Sequence, residues 1–285
     1  MDGTNSNVDQ NAGERLGNYD AEDLQRIGVQ LSAERDLPLL LAVRNSTFVS
    51  HDQLFRLLAD AGTEHNRRCF NWRVRRLVCG AHIRAVPAIA PYNGLVYSIT
   101  RFGLSVLESY GEGLVSVTSG SRNMPSILQA PHFLELNEVQ LAFRKTGKLK
   151  SWKADRELTS LNYVIGTPLA KDYDAIAELE TDGEILRIAL EYERTIKSAD
   201  RYREIQNSIC DEGQVDMVLY LTSTLDLVFT LSREFNRPAL PMCFVSSAKL
   251  RAGVLDTMLL FAYGSMRETF SLREAIVTVL PIKGW

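Results

Sequence analysis

The sequence predicts an α+β protein built from two domains, and three observations carry that prediction. Between residues 36 and 110, apolar side chains recur first at helical spacing and then at alternate positions around an Asn-Gly pair. Beyond residue 130, segments of strand character alternate with segments of helical spacing, as in a mixed α/β sheet with covering helices. Between them, residues 115–130 are rich in Ser, Gly and Asn and contain Pro125, the composition of a linker.

A chain of 285 residues that is 45% hydrophobic has enough apolar surface to bury a core in each of two domains. No run of 18 or more apolar residues occurs, and no basic patch leads into an apolar stretch at the start, so neither a membrane helix nor a signal peptide is indicated. A cytosolic location is expected. Cys69, Cys79, Cys210 and Cys243 lie far apart with no CxxC pair, and the histidines have no ligand spacing to them. Reduced thiols and no structural zinc follow. A net charge of −3 argues against indiscriminate polyanion binding, so what matters is where the charges sit.

Residues 1–20 carry Asn, Asp, Gly and Ser with few large apolar side chains, which reads as a flexible acidic tail. The first domain is placed at 21–114. A short stripe of Leu24, Ile27 and Leu31 opens it, and a helix starts near Asp36 because Pro38 is tolerated only in a first turn. Ser50 with Gln53 makes a capping-box signature for a second helix whose inner face is Leu54, Leu57 and Leu58. After the Ala61-Gly62 turn, residues 64–79 form a third helix with Phe70, Val74, Leu77 and Val78 at helical spacing, ended by Gly80. Asn93-Gly94 then precedes alternating Leu95, Tyr97 and Ile99, a hairpin signal. Thr100 caps a further helix carrying Leu104 and Leu107. Three helices and a hairpin in this order define a winged helix-turn-helix, with the hairpin as wing.

The third helix region concentrates positive charge. Residues 64–84 hold six arginines and one acid, Glu64, a local charge of about +5. With Phe70, Val74 and Leu77 facing inward, Arg68, Trp72 and Arg75 fall on the opposite face, with Arg67 and Asn71 beside it. These side chains are expected in the major groove of double-stranded DNA. Arginine pairs with guanine edges or phosphates, and the Asn71 amide suits adenine. Arg76 extends the face, and Arg84 and the wing are expected at the backbone. A charged helix face can also be merely solvated, and Trp72 can anchor a protein partner or a dimer.

The second domain, 131–285, reads as a helix over 131–144, an extended stretch over 150–158, and strands at 173–179 and 185–192 joined at Asp182-Gly183. A helix at 198–209, a strand at 215–221, a helix at 225–235 and a strand at 242–245 follow. The remainder, through Met258 and Phe270, looks mostly helical.

Asp174 lies in the first of these strands, while Glu191 and Glu193, two apart, point to one side of the next. Glu135 or Glu138 on the preceding helix is expected to approach them. This order of elements and acids resembles the PD-(D/E)XK nuclease-like fold. That resemblance implies a divalent metal such as Mg²⁺ held by Asp174 and Glu191, with Asp174, Glu191 and Glu193 as the catalytic candidates for phosphodiester hydrolysis. The lysine of that pattern is here Glu193, leaving Lys197 or Lys153 to migrate into its role. Paired glutamates on a strand also occur simply solvated or bound to arginines, in which case no cofactor is needed.

Taken together, the chain is similar to the bacterial plasmid replication-relaxation (mobilisation-type) family. The resemblance is carried by Arg73-Val74-Arg75-Arg76-Leu77-Val78, by Val96-Tyr97-Ser98-Ile99-Thr100-Arg101-Phe102-Gly103, by His132-Phe133-Leu134-Glu135-Leu136-Asn137 and by Leu190-Glu191-Tyr192-Glu193-Arg194-Thr195. Trp152 matches the family's tryptophan before a charged strand, and Pro87 and Pro91 depart from a regular wing. The resemblance implies a winged helix joined to a nuclease-like domain, and DNA binding tied to plasmids, phages or mobile elements. Three functions are expected to compete: a non-catalytic sequence-specific DNA-binding regulator of transcription or replication accessory factor, a metal-dependent DNA endonuclease, and a protein-interaction adaptor. A homodimer reading two half-sites fits the first of these.

Overall fold

The computed structural model describes residues 31–86, 89, 92, 94–114, 126–164, 169–181 and 183–279. The predicted acidic tail, most of the short stripe ending at Leu31, most of the linker and the Asn93 half of the hairpin turn lie outside the described residues.

The N-terminal unit runs α1 (Asp36–Ser46), β1 (Val49–Ser50), α2 (His51–Asp60), α3 (Arg67–Cys79), β2 (Ile83–Val86), β3 (Val96–Ile99) and α4 (Arg101–Ser109). Ser50 Oγ accepts from the Gln53 amide at 3.2 Å while the Ser50 amide donates to Gln53 Oε1 at 3.1 Å, so α2 opens on a complete capping box. Asn66 caps α3 and Thr100 caps α4 through a side-chain oxygen that accepts from first-turn amides, without the reciprocal bond. Leu39, Leu40, Val43, Leu54, Phe70, Val74, Leu77 and Ile99 meet in one apolar cluster, joining the inner faces of α1, α2 and α3 to the sheet.

The hairpin differs from the expected half-buried strand. β3 is the middle strand of a three-stranded antiparallel sheet, ordered β1-β3-β2, and all four of its residues are buried. Tyr97 and Ile99 join the helical core, but Val96 turns the other way, into a cluster with Phe48, Ala130 and Leu134. A helix from the second unit therefore covers the face that alternation assigns to solvent. Glycine is required at Gly103, where a Cβ would stand 2.2 Å from the His82 carbonyl oxygen.

That covering helix is α5 (Ala130–Arg144), entered through a 3-10 turn at Ile127–Gln129. The C-terminal unit continues with β4 (Leu149–Ala154), α6 (Asp155–Val164), β5 (Ala175–Thr181), β6 (Glu184–Glu193), α7 (Ala199–Ile209), β7 (Met217–Thr222) and α8 (Leu225–Glu234). It ends with β8 (Met242–Ser246), α9 (Ser247–Ala252), β9 (Met258–Tyr263), β10 (Met266–Ser271) and α10 (Leu272–Val279). The fold class is α+β, with a seven-stranded mixed sheet in the order β10-β9-β8-β7-β6-β5-β4. Strands β6, β7 and β8 are parallel, and the remaining pairs are antiparallel.

One sheet face packs on α5, α9 and α10 through residues such as Ile188, Leu219 and Phe261. The other packs on α7 and α8 through Ala189, Tyr220 and Phe244. Two expectations are corrected here. The extended stretch ends at Ala154, because Asp155 opens a helix. The C-terminal stretch is not mostly helical through Met258 and Phe270, where it forms a β-hairpin between two helices: the apolar run Met258–Tyr263 pairs with β8 on one side and with β10 on the other. A short apolar run has no period that separates a buried strand from a buried helix. Among the described residues, no helix is long and apolar enough to cross a membrane.

Candidate nucleic-acid interface and acidic cleft

On α3 the inward positions are Phe70, Arg73, Val74 and Leu77. Arg67, Arg68, Asn71, Trp72 and Arg75 are exposed, and the Trp72 indole is 61% accessible, unusual for so large an apolar group. The predicted recognition face is thus brought together on the outside of the helix. Arg84, one strand away, is also exposed and donates from Nε to Ser98 Oγ at 2.7 Å.

The expected absence of compensating acids does not hold. Arg73 is buried and pairs with Glu64 and, at 3.4 Å, with Asp36. Arg76 is half-buried, ion-paired with Asp36, and lays its guanidinium 5.0 Å from the Trp72 ring centre. Arg67 reaches Asp52 at 3.3 Å and stacks over Phe55 at 4.6 Å. Asp36 and Asp52 lie outside the window counted in sequence, and the fold returns them to the helix. Among the described residues Arg68, Arg75 and Arg84 meet no acid, so they carry the outward charge. His51 and Tyr97, unremarked in sequence, stand directly behind Asn71: His51 Nε2 is 2.9 Å from Asn71 Oδ1, and His51 Nδ1 is 2.9 Å from the Tyr97 hydroxyl.

The second site lies at one end of the large sheet. The Asp155 amide donates to the Asp174 carbonyl at 3.0 Å, and Ala175 pairs with Leu190, which sets Asp174 opposite Glu191. Three carboxylates therefore line up across β4, β5 and β6. They edge a cleft of about 420 Å³ shared with His132, Glu193 and Lys197.

Asp174, Glu191 and Glu193 each meet a donor or cation. Asp174 Oδ1 is 3.2 Å from His132 Nε2, and its Oδ2 accepts from the Tyr192 amide at 2.7 Å. Lys171 Nζ lies 2.7 Å from Glu191 Oε1. Lys197 holds Glu193 at 2.8 Å, and the Tyr202 hydroxyl donates to the same carboxylate at 3.2 Å. Burial, then repulsion from Asp174, pushes the Glu191 carboxyl up to about 7. The same two causes push Asp155 up to about 6. Burial opposes the Asp174 anion, but the His132 hydrogen bond and charge outweigh it and hold its pKa below the ordinary value. His132 is correspondingly raised, its burial outweighed by Asp174.

Glu135 and Glu138 do not approach this cluster, contrary to expectation. Glu138 accepts from Arg56 at 3.1 Å and from Gln53 at 3.0 Å, facing the N-terminal unit. Glu135 pairs with Arg251 at 2.9 Å. The helix contributes His132 instead, and the ammonium beside Glu191 comes from Lys171 rather than Lys153 or Lys197. Lys171 precedes the strand acid by three residues, a spacing no strand periodicity flags. Trp152 packs against Phe143 at 6.0 Å.

These contacts bear on metal binding. The carboxylates face side-chain cations and an amide rather than converging as a ligand set, and among the described residues no group of three or more His, Cys, Asp or Glu is disposed to hold a metal ion.

The chain matches no protein-family model and no curated protein.

Proposed function

We propose that the N-terminal unit is a winged helix-turn-helix that binds double-stranded DNA, with α3 as its recognition helix and the β2–β3 hairpin as its wing. The C-terminal unit is then a nuclease-like α/β domain without catalytic activity. The protein acts as a sequence-specific regulator of transcription or as an accessory factor in the replication of a plasmid or other mobile element, working in the cytoplasm as a homodimer. One observation carries this reading: Arg68, Trp72 and Arg75 project together from the side of α3 opposite Phe70, Val74 and Leu77. Guanidinium groups so placed meet phosphates and guanine edges together. Fluorescence polarisation with labelled duplexes over a range of salt concentrations tests it. Binding that weakens steeply with salt supports the reading, and no duplex binding at low salt favours a protein-interaction adaptor.

A second reading, a metal-dependent DNA endonuclease, is favoured by the alignment of Asp155 just after β4, Asp174 just before β5 and Glu191 on β6, with Lys171 at Glu191. A supercoiled-plasmid nicking assay with Mg²⁺ or Mn²⁺ decides between the two. The regulator reading expects no nicking above that of an Asp174→Ala variant.

A further inference from the structure

We propose that Tyr97 and His51 form a hydrogen-bond relay that holds Asn71 as a donor toward DNA, so that α3 selects guanine rather than adenine at the base pair Asn71 meets. The inference rests on the DNA-binding reading above and makes His51 and Tyr97 positioning residues for it.

The direction of the relay follows from which atoms can donate. Asn71 Oδ1 is a carbonyl oxygen and only accepts, so the His51 nitrogen 2.9 Å away, Nε2, carries the hydrogen. In the neutral ring Nδ1 is then the acceptor, and the Tyr97 hydroxyl 2.9 Å from it is the donor. Protonation states agree with this assignment. Burial chiefly, helped by the Arg67 charge, lowers the His51 pKa and keeps the ring neutral. Burial pushes the Tyr97 phenol up to about 12, so it retains its hydrogen.

The ring is also held mechanically. His51 is the first residue of α2, immediately after the Ser50 cap, and its amide donates to the Leu95 carbonyl at 2.9 Å. Its ring packs on Phe70, with centroids 4.8 Å apart, and on Tyr97 at 5.8 Å. One residue each from α2, α3 and β3 thus fixes the orientation of an exposed amide.

With Oδ1 already accepting, the Asn71 NH₂ is what faces outward. In the major groove guanine offers two acceptors, N7 and O6, whereas adenine pairs an acceptor with an N6 donor that needs the amide oxygen. A free asparagine suits adenine. A tethered one suits guanine.

Two measurements test the relay. In ¹⁵N NMR of the full-length protein, His51 is expected as the neutral Nε2–H tautomer at pH 7. Asn71→Ala should lower its pKa by removing an acceptor, and Tyr97→Phe should raise it by removing a donor to Nδ1. The opposite tautomer, or a pKa unmoved by both variants, overturns the relay. Independently, duplexes selected from a random pool should carry guanine at the position where Asn71→Ala relaxes the choice. There His51→Ala and the gentler Tyr97→Phe should reduce guanine-over-adenine preference, about tenfold for the former. Adenine at that position, or a preference unchanged in both variants, overturns the base selection. No duplex binding at low salt would sink the DNA reading, and base selection with it, while the NMR result still reports separately on the relay.

Discussion

Arg73 and Arg68 lie five residues apart on α3 and do opposite things: Arg73 is buried between Glu64 and Asp36, while Arg68 stands in solvent. The arginine count of this helix mixes a buried ion-pair network with an exposed cationic face, and mutation separates them.

Arg73→Ala leaves the buried Glu64 carboxylate without its cation and the buried Asp36 with Arg76 alone. Removing one partner of a buried pair costs about 3–5 kcal/mol, so the variant should unfold at markedly lower urea concentration. Urea titration of the folded protein checks this, and a change below about 1 kcal/mol would contradict it.

Arg68→Ala and Arg75→Ala are expected to leave stability within about 0.5 kcal/mol of the parent, since the residues are exposed and away from the core. Duplex binding should weaken instead, and the log-log salt slope should fall by about 0.9 for each phosphate contact removed. Polarisation titrations at several salt concentrations read the slope, and an unaltered slope would show that this face does not touch DNA.

Gly103→Ala sets a methyl group against the His82 carbonyl, a backbone atom that cannot swing aside. Overpacking of this kind costs about 1–3 kcal/mol, and the strain falls between α4 and the entry to β2. The melting temperature should drop accordingly.

In the acidic cleft, stability and pH are linked with a definite sign. Glu191 is raised from 4.5 to about 7 on folding, so the folded state holds the extra proton within that window and stability falls as pH rises through it. Asp155, raised to about 6, acts in the same direction. His132, also raised, contributes below its ordinary 6.5 and loses that contribution as pH rises through its folded value. Asp174, depressed, matters only as pH falls below its ordinary 3.8. Denaturation between pH 5 and 8 should therefore show a decline toward alkaline pH that Glu191→Gln makes shallower.

A fragment ending at residue 114 should fail to fold stably. It would leave Phe48 and Val96, both fully buried, without Ala130 and Leu134, and would strip Leu141 from the helical core. Circular dichroism and size exclusion of that fragment against the full chain check the expectation.

Local chemistry made much of this architecture legible. The Ser50–Gln53 box, the Thr100 cap and the inner face of α3 are written within a few residues of one another, so a linear reading finds them. Glu191 on β6 and Asp174, one residue before β5, are legible for the same reason, since apolar alternation marks both strands. What escaped the reading depends on distant chain. Asp36 reaches Arg76 across 40 residues, and Asn137 donates to the Phe48 carbonyl across 89. Lys171 and His132 meet carboxylates that lie on other elements of the fold. The β9–β10 hairpin was missed because a six-residue apolar run carries no period of its own.

Helix α5 joins the acidic cleft to α2 of the N-terminal unit. His132, near its start, holds Asp174, and Glu138, six residues on and about 9 Å along the axis, holds Arg56 of α2. A helix this short bends little, so the Arg56 contact and the Asp174 contact are held at a fixed separation.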